Sequence, residues 1–242
     1  MSVLTGLDSD LAYPATPGVP ESGLHALVRF RTYGALRGHF AGRPGCFVGQ
    51  DRNIYYRRGD SKTYVAPDVF VCFGVDPEPL ELDRSFRPWD AGGPPEFVLE
   101  IASDGTWQKD LFDKPAIYLE VGVSEYWRFD PTGGEFYTPV LQGDRLAGGR
   151  WQRIPVAPDD DGRLCGRSDV LGLDLHAETR RLHLRDARTG RWLPDPDDTR
   201  QEREEVLARA VAAEAALGAE AAARRAAEAE VAALRARLSD QP

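Results

Sequence analysis

The 242-residue sequence contains few cysteines and no long apolar run. Its three cysteines, Cys46, Cys72 and Cys165, are widely spaced and form neither a disulfide framework nor a zinc-binding motif, so we expect a reducing, cytoplasmic environment. No stretch of about 18 apolar residues occurs, which excludes an ordinary transmembrane helix and predicts no membrane association. Residues 1–8 lack a basic region followed by an apolar run, so we expect no signal peptide.

Basic residues are outnumbered by acidic ones, 30 to 39, which gives a net charge of −9. This balance argues against binding nucleic acid through bulk electrostatics, since contact with many phosphates needs a basic surface. Arginines cluster at residues 29–43, 57–58 and 180–191. They form either a locally basic groove or solvated faces of an arginine-rich chain.

Lysine is the rarest of the cations. Only Lys62, Lys109 and Lys114 occur among 30 basic residues, and all three lie near the apolar segments 65–71 and 97–102. An ammonium group is a compact point charge whose pKa can be tuned, and a guanidinium group cannot replace it in that role. The lysines therefore draw attention to these two segments.

Each of these segments contains one carboxylate inside an apolar run. Asp68 lies in Val65–Val71 and Glu100 lies in Phe97–Ala102, and both runs are typical of buried strands. A buried, charged and unpaired carboxylate costs several kcal/mol. Two such residues indicate a shared cation, and a hard one such as magnesium suits oxygen ligands best.

The overall pattern predicts an α/β (α+β) fold, in which a mixed sheet is flanked by helices and extended by β-hairpins. The predicted elements are a helix over 22–40, a hairpin joining 47–48 to 54–56, strands at 65–71 and 97–102, a long loop over 74–95, a helix over 108–120, a strand over 124–130 and hairpins over 132–192.

The helix over 108–120 places Asp110, Lys114 and Tyr118 on one face through their i, i+4 spacing. Pro115 must then lie in the first turns or kink the helix. Asp110 has two interpretations. It either holds Lys114 in place, or it is an acidic residue interacting with the dipole at the helix N-terminus.

The composition changes after residue 195. Residues 199–238 contain 16 alanines among glutamate and arginine, with one glycine and no proline, so we expect a long helix. A coiled coil with a small-residue core and a solvated single helix both fit this pattern. The expected domains are a globular unit at 1–195 and a helical tail at 196–242.

Several motifs together resemble the Uma-two family of restriction endonucleases, a branch of the PD-(D/E)XK nuclease superfamily. The resemblance covers residues 12–195. It rests on the segments Ile54–Gly59, Val65–Val75, Pro95–Ser103, Asp110–Tyr118, Gly122–Tyr126 and Trp127–Pro131.

This resemblance implies a restriction-endonuclease-like fold, in which Asp68 and Glu100 bind Mg²⁺ together with the backbone carbonyl of Ile101, and Mn²⁺ can substitute. In the superfamily's basic pattern a lysine follows the glutamate by two residues, but Ala102 stands there in this sequence. The catalytic lysine implied by the resemblance is Lys114 on the following helix.

Three further residues are supporting candidates. Glu21 and His25 align with an acidic residue and a histidine that recur in the family. Either could serve the metal site, or Glu21 is an ordinary first-turn acid and His25 a packed helix residue. Ser103 could serve the site or simply cap its loop. His39, His176 and His183 show neither metal-ligand spacing nor the context of a catalytic triad, and no role is assigned to them.

Two hypotheses follow for the function. The first is a metal-dependent endonuclease that hydrolyses phosphodiester bonds in DNA and acts as a homodimer, associating mainly through the globular domain. The second is a catalytically inactive nuclease-fold scaffold that assembles through its helical tail. The acidic charge, Ala102 and the tail favour this alternative.

Overall fold

A computed structural model describes residues 23–197 and residue 209. The chain divides into two units, Met1–Asp195 and Pro196–Pro242, and all elements named below lie in the first. Glu21 and nearly all of the expected tail helix, with its possible coiled coil, lie outside the described residues. No described helix is long and apolar enough to cross a membrane.

Five helices occur in the described chain. They are α1 (Gly23–His39), α2 (Pro77–Leu82), α3 (Pro88–Ala91), α4 (Trp107–Phe112) and α5 (Lys114–Val121). In α1 the buried positions recur every three or four residues, at His25, Val28, Thr32 and Leu36, which is the pattern of a helix that covers a core with one face. The sequence prediction of a helix over 22–40 is confirmed.

Within the described residues, thirteen strands form three sheets. They are β1 (Cys46–Gln50), β2 (Asn53–Tyr55), β3 (Tyr64–Val65), β4 (Val69–Phe73), β5 (Ser85–Phe86), β6 (Phe97–Ile101), β7 (Glu125–Phe129), β8 (Leu141–Ala147), β9 (Arg150–Ile154), β10 (Val156–Pro158), β11 (Leu164–Ser168), β12 (Leu173–Glu178) and β13 (Arg181–Asp186). The sheets have the orders β1-β4-β6-β7-β8-β9, β10-β11-β12-β13 and β3-β2-β5. In the six-stranded sheet only the β6–β7 pair is parallel. The predicted mixed α/β architecture is confirmed.

The six-stranded sheet separates two apolar layers. Side chains alternate between the faces of a strand, so Leu99 and Ile101 of β6 pack towards α1 and the four-stranded sheet, whereas Val98 packs in the other layer with Tyr118 of α5. Glu100 shares the face of Val98. This alternation therefore points the Glu100 carboxylate into the layer that contains α5.

Trp127 of β7 anchors the first layer, where its indole is fully buried. A Cβ atom added at Gly143 or Gly166 would lie 2.8 or 2.7 Å from the indole, so both neighbouring positions must be glycine for the ring to fit. Full burial of an aromatic ring contributes on the order of 3 kcal/mol to folding. This layer is thus a packed structural core.

The predicted hairpin between β1 and β2 is wrong. β1 pairs with β4 in the six-stranded sheet, while β2 pairs with β3 and β5 in a separate sheet. Asp51 between them has a positive φ of 46°, and its N–H donates to the Pro67 carbonyl at 3.1 Å. The polar connection therefore redirects the chain into another sheet instead of folding it back.

Three other predictions need correction. Residues 74–95 are not a structureless loop, because α2 and α3 each begin with a proline, whose fixed φ suits the first helical turn. The helix predicted over 108–120 is two helices, α4 and α5, separated at Asp113 ahead of Pro115. The hairpin β8–β9 extends the central sheet as predicted, but β10–β13 form a sheet of their own.

Candidate active site

Three strands meet at one edge of the central sheet. Because β6 and β7 are parallel, their carboxyl ends lie side by side, and antiparallel β4 begins at the same edge. The register pairs Val69 with Leu99 and Glu100 with Arg128, so Asp68, one residue before β4, stands opposite Glu100. The topology thus brings together two acids that are 32 positions apart in the sequence.

The Asp68 side chain takes the place of a backbone hydrogen-bond acceptor for Ile101. The Ile101 N–H donates to Asp68 Oδ2 at 2.7 Å, where a continuing strand would offer a backbone carbonyl. Because the N–H and C=O of one residue in an antiparallel ladder point to the same side, the Ile101 carbonyl also faces the Asp68 side of β6. His25 Nε2 of α1 lies 3.1 Å from the same Oδ2 atom.

Glu100 is held by two donors from α5. Lys114 Nζ lies 2.8 Å from Glu100 Oε1, and the Tyr118 hydroxyl donates to the same oxygen at 2.5 Å. Neither Glu100 Oε2 nor Asp68 Oδ1 has a hydrogen-bond partner among the described residues. Two carboxylate oxygens from neighbouring strands therefore remain available to a ligand.

The break between α4 and α5 places Lys114 against a third acid. Asp110 Oδ1 of α4 lies 2.6 Å from Lys114 Nζ, and the Asp110 side chain is fully buried. Thr106 Oγ1 donates to Asp110 Oδ2 at 3.4 Å and contacts Ser103 Oγ at 2.8 Å. The loop between β6 and α4 is thus connected to the lysine through Asp110.

The site opens towards solvent at Asp68 and Lys114. Their side chains are 15% and 14% exposed, whereas that of Glu100 is only 2% exposed. A ligand that reaches the cluster therefore meets Asp68 and the Lys114 ammonium first, with Glu100 behind them.

Burial shifts the pKa values of the acids in this cluster. Desolvation raises the pKa of Glu100 to about 8, and the neighbouring carboxylates of Asp110 and Asp68 add to this effect against the opposing pull of Lys114. Desolvation likewise raises the pKa of Asp110. Burial also acts to raise the pKa of Asp68, but its contacts with His25, the charge of Lys114 and the Ile101 N–H outweigh burial and lower the pKa.

Lys114 remains charged in this environment. Burial lowers the pKa of Lys114, but the carboxylates of Glu100, Asp110 and Asp68 outweigh burial, so the pKa lies above its ordinary value. Three carboxylates share this one ammonium group. When all of them are ionised the cluster lacks positive charge, which the raised pKa values of Glu100 and Asp110 reflect.

The donor set fits a magnesium ion. The described residues include no group of three or more His, Cys, Asp and Glu side chains that could hold a metal ion by themselves. Mg²⁺ does not need such a group, because it is usually bound by one or two carboxylates and keeps several waters. Asp68 Oδ1, Glu100 Oε2 and the Ile101 carbonyl provide this kind of set. When Asp68, Glu100 and Asp110 are all ionised, the cluster carries two negative charges more than the Lys114 ammonium balances, which matches a divalent ion.

Five of the residues predicted from the sequence come together in one cluster, namely Asp68, Glu100, Asp110, Lys114 and His25. The hydroxyl of Ser103 instead contacts Thr106 in the loop. Lys114 reaches Glu100 from the helix that covers its face of the sheet, in place of a lysine at position 102. Sequence reasoning missed the contacts made by Tyr118 and Thr106. The four-residue spacing of Lys114 and Tyr118 was the one available signal for Tyr118.

One histidine without an assigned role lies in a chain of titratable groups. His176 Nδ1 is 2.7 Å from Asp159 Oδ2, and its Nε2 is 3.5 Å from Cys165 Sγ. Desolvation raises the pKa of the Cys165 thiol, so the thiolate needed for nucleophilic attack is disfavoured. This arrangement could not be predicted from the sequence, because its members come from three different segments.

The comparisons with known proteins agree with the motifs. A family model described as "Putative restriction endonuclease" matches residues 16–177, more than half of the sequence, and the chain belongs to this family, Uma2. The resemblance seen in the sequence is thereby confirmed. No curated protein matches the sequence.

A solved structure is also similar to part of the chain. It is the crystal structure of a "putative nuclease belonging to DUF820" from Anabaena variabilis ATCC 29413, with a TM-score of 0.42 and 13% sequence identity. The match covers 59% of this chain and 77% of that one.

Proposed function

We propose that the protein is a metal-dependent endonuclease of the PD-(D/E)XK type, which hydrolyses phosphodiester bonds in DNA. One observation carries the proposal. Asp68 Oδ1 and Glu100 Oε2, which have no hydrogen-bond partner in the part of the chain that the structure describes, lie at the same edge of adjacent strands beside the charged Lys114. Membership of the Uma2 family supports a nucleic acid as the substrate.

Asp68, Glu100 and the Ile101 carbonyl would hold Mg²⁺, which Mn²⁺ could replace. A bound ion of this kind supplies Lewis-acid stabilisation of phosphate charge and lowers the pKa of a water molecule. The Ile101 N–H and His25 fix the carboxylate of Asp68 through its Oδ2 atom, which leaves Oδ1 for the ion.

Lys114 acts through its charge. A lysine with a raised pKa is a poor general base at neutral pH, but its ammonium group can stabilise the negative charge that develops on the phosphate during attack. Asp110 is the positioning residue for Lys114, because its buried carboxylate lies 2.6 Å from the ammonium group. Tyr118 orients Glu100 by donating to Oε1.

Cleavage assays with matched variants test this function. Purified protein should cleave at least one of a set of single-stranded, double-stranded and branched DNA substrates when Mg²⁺ or Mn²⁺ is added. Asp68→Asn should lose that cleavage, while Asp90→Asn, which alters an exposed acid on α3, should keep it. Wild-type protein that cleaves none of these substrates with either metal contradicts the proposal.

A second candidate is an inactive scaffold with a nuclease fold. One observation favours it, namely that Lys114 already pairs with both Glu100 and Asp110, so part of the buried charge is neutralised without a metal. Thermal melting separates the candidates, because a ligand that binds the native state raises the midpoint. A rise with Mg²⁺ that Asp68→Asn abolishes supports the enzyme, and an unchanged wild-type midpoint supports the scaffold.

We also propose a cytoplasmic homodimer associated mainly through the globular unit. A two-fold axis matches the symmetry of duplex DNA, and cyclic dimers are the most common oligomers of soluble proteins. A chain ending at Asp197 retains Asp195, which pairs with Arg31 and Arg181. Light scattering should show the same oligomeric state for this chain and the full-length protein. A truncated monomer and a full-length dimer would assign dimerisation to the tail.

A further inference from the structure

The loop between β7 and β8, residues 130–140, stands at the same sheet edge as the acid cluster. Asp130, which is fully buried, accepts hydrogen bonds from Thr132 N–H and Oγ1 through Oδ1, and from the N–H groups of Phe136 and Tyr137 through Oδ2. The Phe136 ring stacks on Trp107 at the start of α4, with ring centroids 6.3 Å apart. The loop is therefore fixed both to its own strand and to the helix next to the site.

Tyr137 is the member of this loop that the fold does not explain. Its side chain is 7% exposed, and its hydroxyl has no hydrogen-bond partner among the described residues. Buried hydroxyls are normally paired. The two nearby tyrosines follow that rule, because Tyr118 donates to Glu100 and Tyr126 donates to the Asp110 carbonyl.

The surroundings of this hydroxyl are those of the acid cluster. Burial raises the pKa of Tyr137 well above its usual value, the carboxylates of Asp110, Asp130 and Glu100 add to the rise, and Arg128 opposes it. The residue before it, Phe136, stacks on Trp107 of α4, the helix that carries Asp110, so the loop lies next to the acid cluster. The Tyr137 hydroxyl keeps its proton and is therefore a donor, whereas the carboxylates are acceptors.

A second donor accompanies it. Arg128 pairs with Glu100 in the β6–β7 register and therefore shares its face of the sheet. One guanidinium nitrogen of Arg128 donates to Asp144, while its buried Nε has no partner among the described residues. Two buried donors beside three carboxylates suit an anionic ligand, because a phosphate entering an acidic pocket needs donors to offset the repulsion.

We propose that the Tyr137 hydroxyl donates a hydrogen bond to a phosphate oxygen of a nucleic acid bound at the acid cluster, so that the loop over residues 130–140 forms the second wall of the site. The inference rests on the proposed function and adds a substrate-contacting residue to it. Asp130 is then the positioning residue that holds Tyr137 at the wall.

If Tyr137 served folding alone, removing its hydroxyl would lower the melting temperature. The proposal makes the opposite prediction, because the hydroxyl has no partner in the described chain and its removal relieves an unsatisfied polar group. Tyr137→Phe should therefore melt at or above the wild-type temperature. Tyr126→Phe, which removes a hydroxyl bonded to a backbone carbonyl, should melt below it. Melting temperatures of the two variants therefore distinguish a residue kept for a ligand from one kept for folding.

DNA binding and DNA cleavage are measured separately on the full-length chain. Binding of fluorescent single-stranded and double-stranded DNA oligonucleotides is followed by anisotropy with Ca²⁺, a hard cation that takes oxygen ligands. Cleavage of the same oligonucleotides is followed with Mg²⁺ under single-turnover conditions. The control is Tyr55→Phe, a buried tyrosine of the three-stranded sheet whose hydroxyl lies 3.5 Å from Asn53 Nδ2.

We expect Tyr137→Phe to weaken DNA binding or slow single-turnover cleavage at least about tenfold, with an undiminished melting temperature, and Tyr55→Phe to change neither by more than about twofold. Wild-type binding and cleavage in Tyr137→Phe, or a lower melting temperature, overturn the inference and leave the proposed function intact. Wild type that binds DNA without cleaving it, with Tyr137→Phe weaker, overturns the hydrolytic function alone. Wild type that neither binds nor cleaves overturns both.

Discussion

Two glutamates on neighbouring parallel strands show how differently this fold treats a buried carboxylate. Glu125, at the start of β7, accepts hydrogen bonds from the Trp127 indole, the Ser168 hydroxyl and the N–H groups of Asp169 and Val170. Glu100, at the end of β6, has a lysine and a tyrosine on one oxygen and two further carboxylates nearby. Both side chains are about equally buried.

The two carboxylates differ in how far hydrogen-bond donors of the chain satisfy their oxygen atoms. Both oxygens of Glu125 are saturated by donors that the chain itself supplies, and these donors tie β7 to the segment that leads into β12. One oxygen of Glu100 has no partner among residues 23–197, and burial raises the pKa of Glu100 to about 8, so added positive charge would stabilise its ionised form. A buried acid that the fold satisfies is structural, whereas one that the fold leaves unsatisfied is a candidate for function.

The largest expected effect is on catalysis. Glu100→Gln should lower the rate of DNA cleavage at least about a hundredfold, because it removes a carboxylate oxygen proposed to hold the metal. Its melting temperature without metal should match or exceed that of the wild type, since the amide avoids the free-energy cost of either protonating this buried acid or burying its charge. Single-turnover kinetics and calorimetry measure the two quantities. A large loss of stability in Glu100→Gln would erase the contrast with Glu125.

The reverse outcome is expected for the second glutamate. Glu125→Gln should lower the free energy of unfolding by about 2–4 kcal/mol, because an amide cannot accept from all four donors and leaves buried groups unsatisfied. Cleavage per folded molecule should stay within about twofold of the wild type. Urea titration followed by activity assays at a temperature where the variant is folded checks this. A catalytic defect as large as that of Glu100→Gln would show that both acids serve the site.

Glu100 should also make the free energy of unfolding depend on pH. Between about pH 4.5 and 8 the folded, metal-free protein keeps a proton on Glu100 that the unfolded chain has released, so raising the pH in this window favours unfolding. This group contributes a slope of about 1.4 kcal/mol per pH unit, and the slope ends above its folded pKa.

Two measurements check that dependence. Denaturant titrations across pH 5–8 should show the decline in the wild type and a much flatter curve in Glu100→Gln. Mg²⁺ should raise the wild-type melting temperature more at pH 8 than at pH 6, because it binds the ionised carboxylates. Identical pH curves for the two proteins would mean that Glu100 ionises freely in the folded state.

The smallest effects come from removing one hydroxyl at each acid. Ser168→Ala should cost about 1–2 kcal/mol of stability without changing cleavage, because the Ser168 hydroxyl both donates to Glu125 and accepts from Leu171 N–H. Thr106→Val should cost less than about 1 kcal/mol, since its bond to Asp110 is long and its shorter contact with Ser103 lies in a partly exposed loop, and it should slow cleavage only a few-fold. Equal stability losses in the two variants would contradict the assignment of the two regions.

The same contrast explains which features could be predicted from the sequence and which could not. Asp68 and Glu100 were visible because a charged residue inside an apolar strand is a local anomaly, and their family motifs are contiguous. The separate β10–β13 sheet and the failed hairpin at β1 and β2 were not visible, because strand partners are chosen by long-range pairing. Glu125 lies in a predicted strand and in a family motif, but its role was not visible because three of its four donors come from Ser168, Asp169 and Val170. Tyr137 carried no local signal, since its neighbours at the site come from distant segments.

A crystal soaked in Mn²⁺ would show directly whether Asp68 and Glu100 hold a metal ion together. Anomalous diffraction from a crystal soaked in Mn²⁺ should show a single strong peak between Asp68 and Glu100, within about 2.0–2.3 Å of Asp68 Oδ1, Glu100 Oε2 and the Ile101 carbonyl oxygen. The Glu125 carboxylate, buried to the same degree, should show none. A crystal without a peak at Asp68 and Glu100, or with one only elsewhere, would contradict the account.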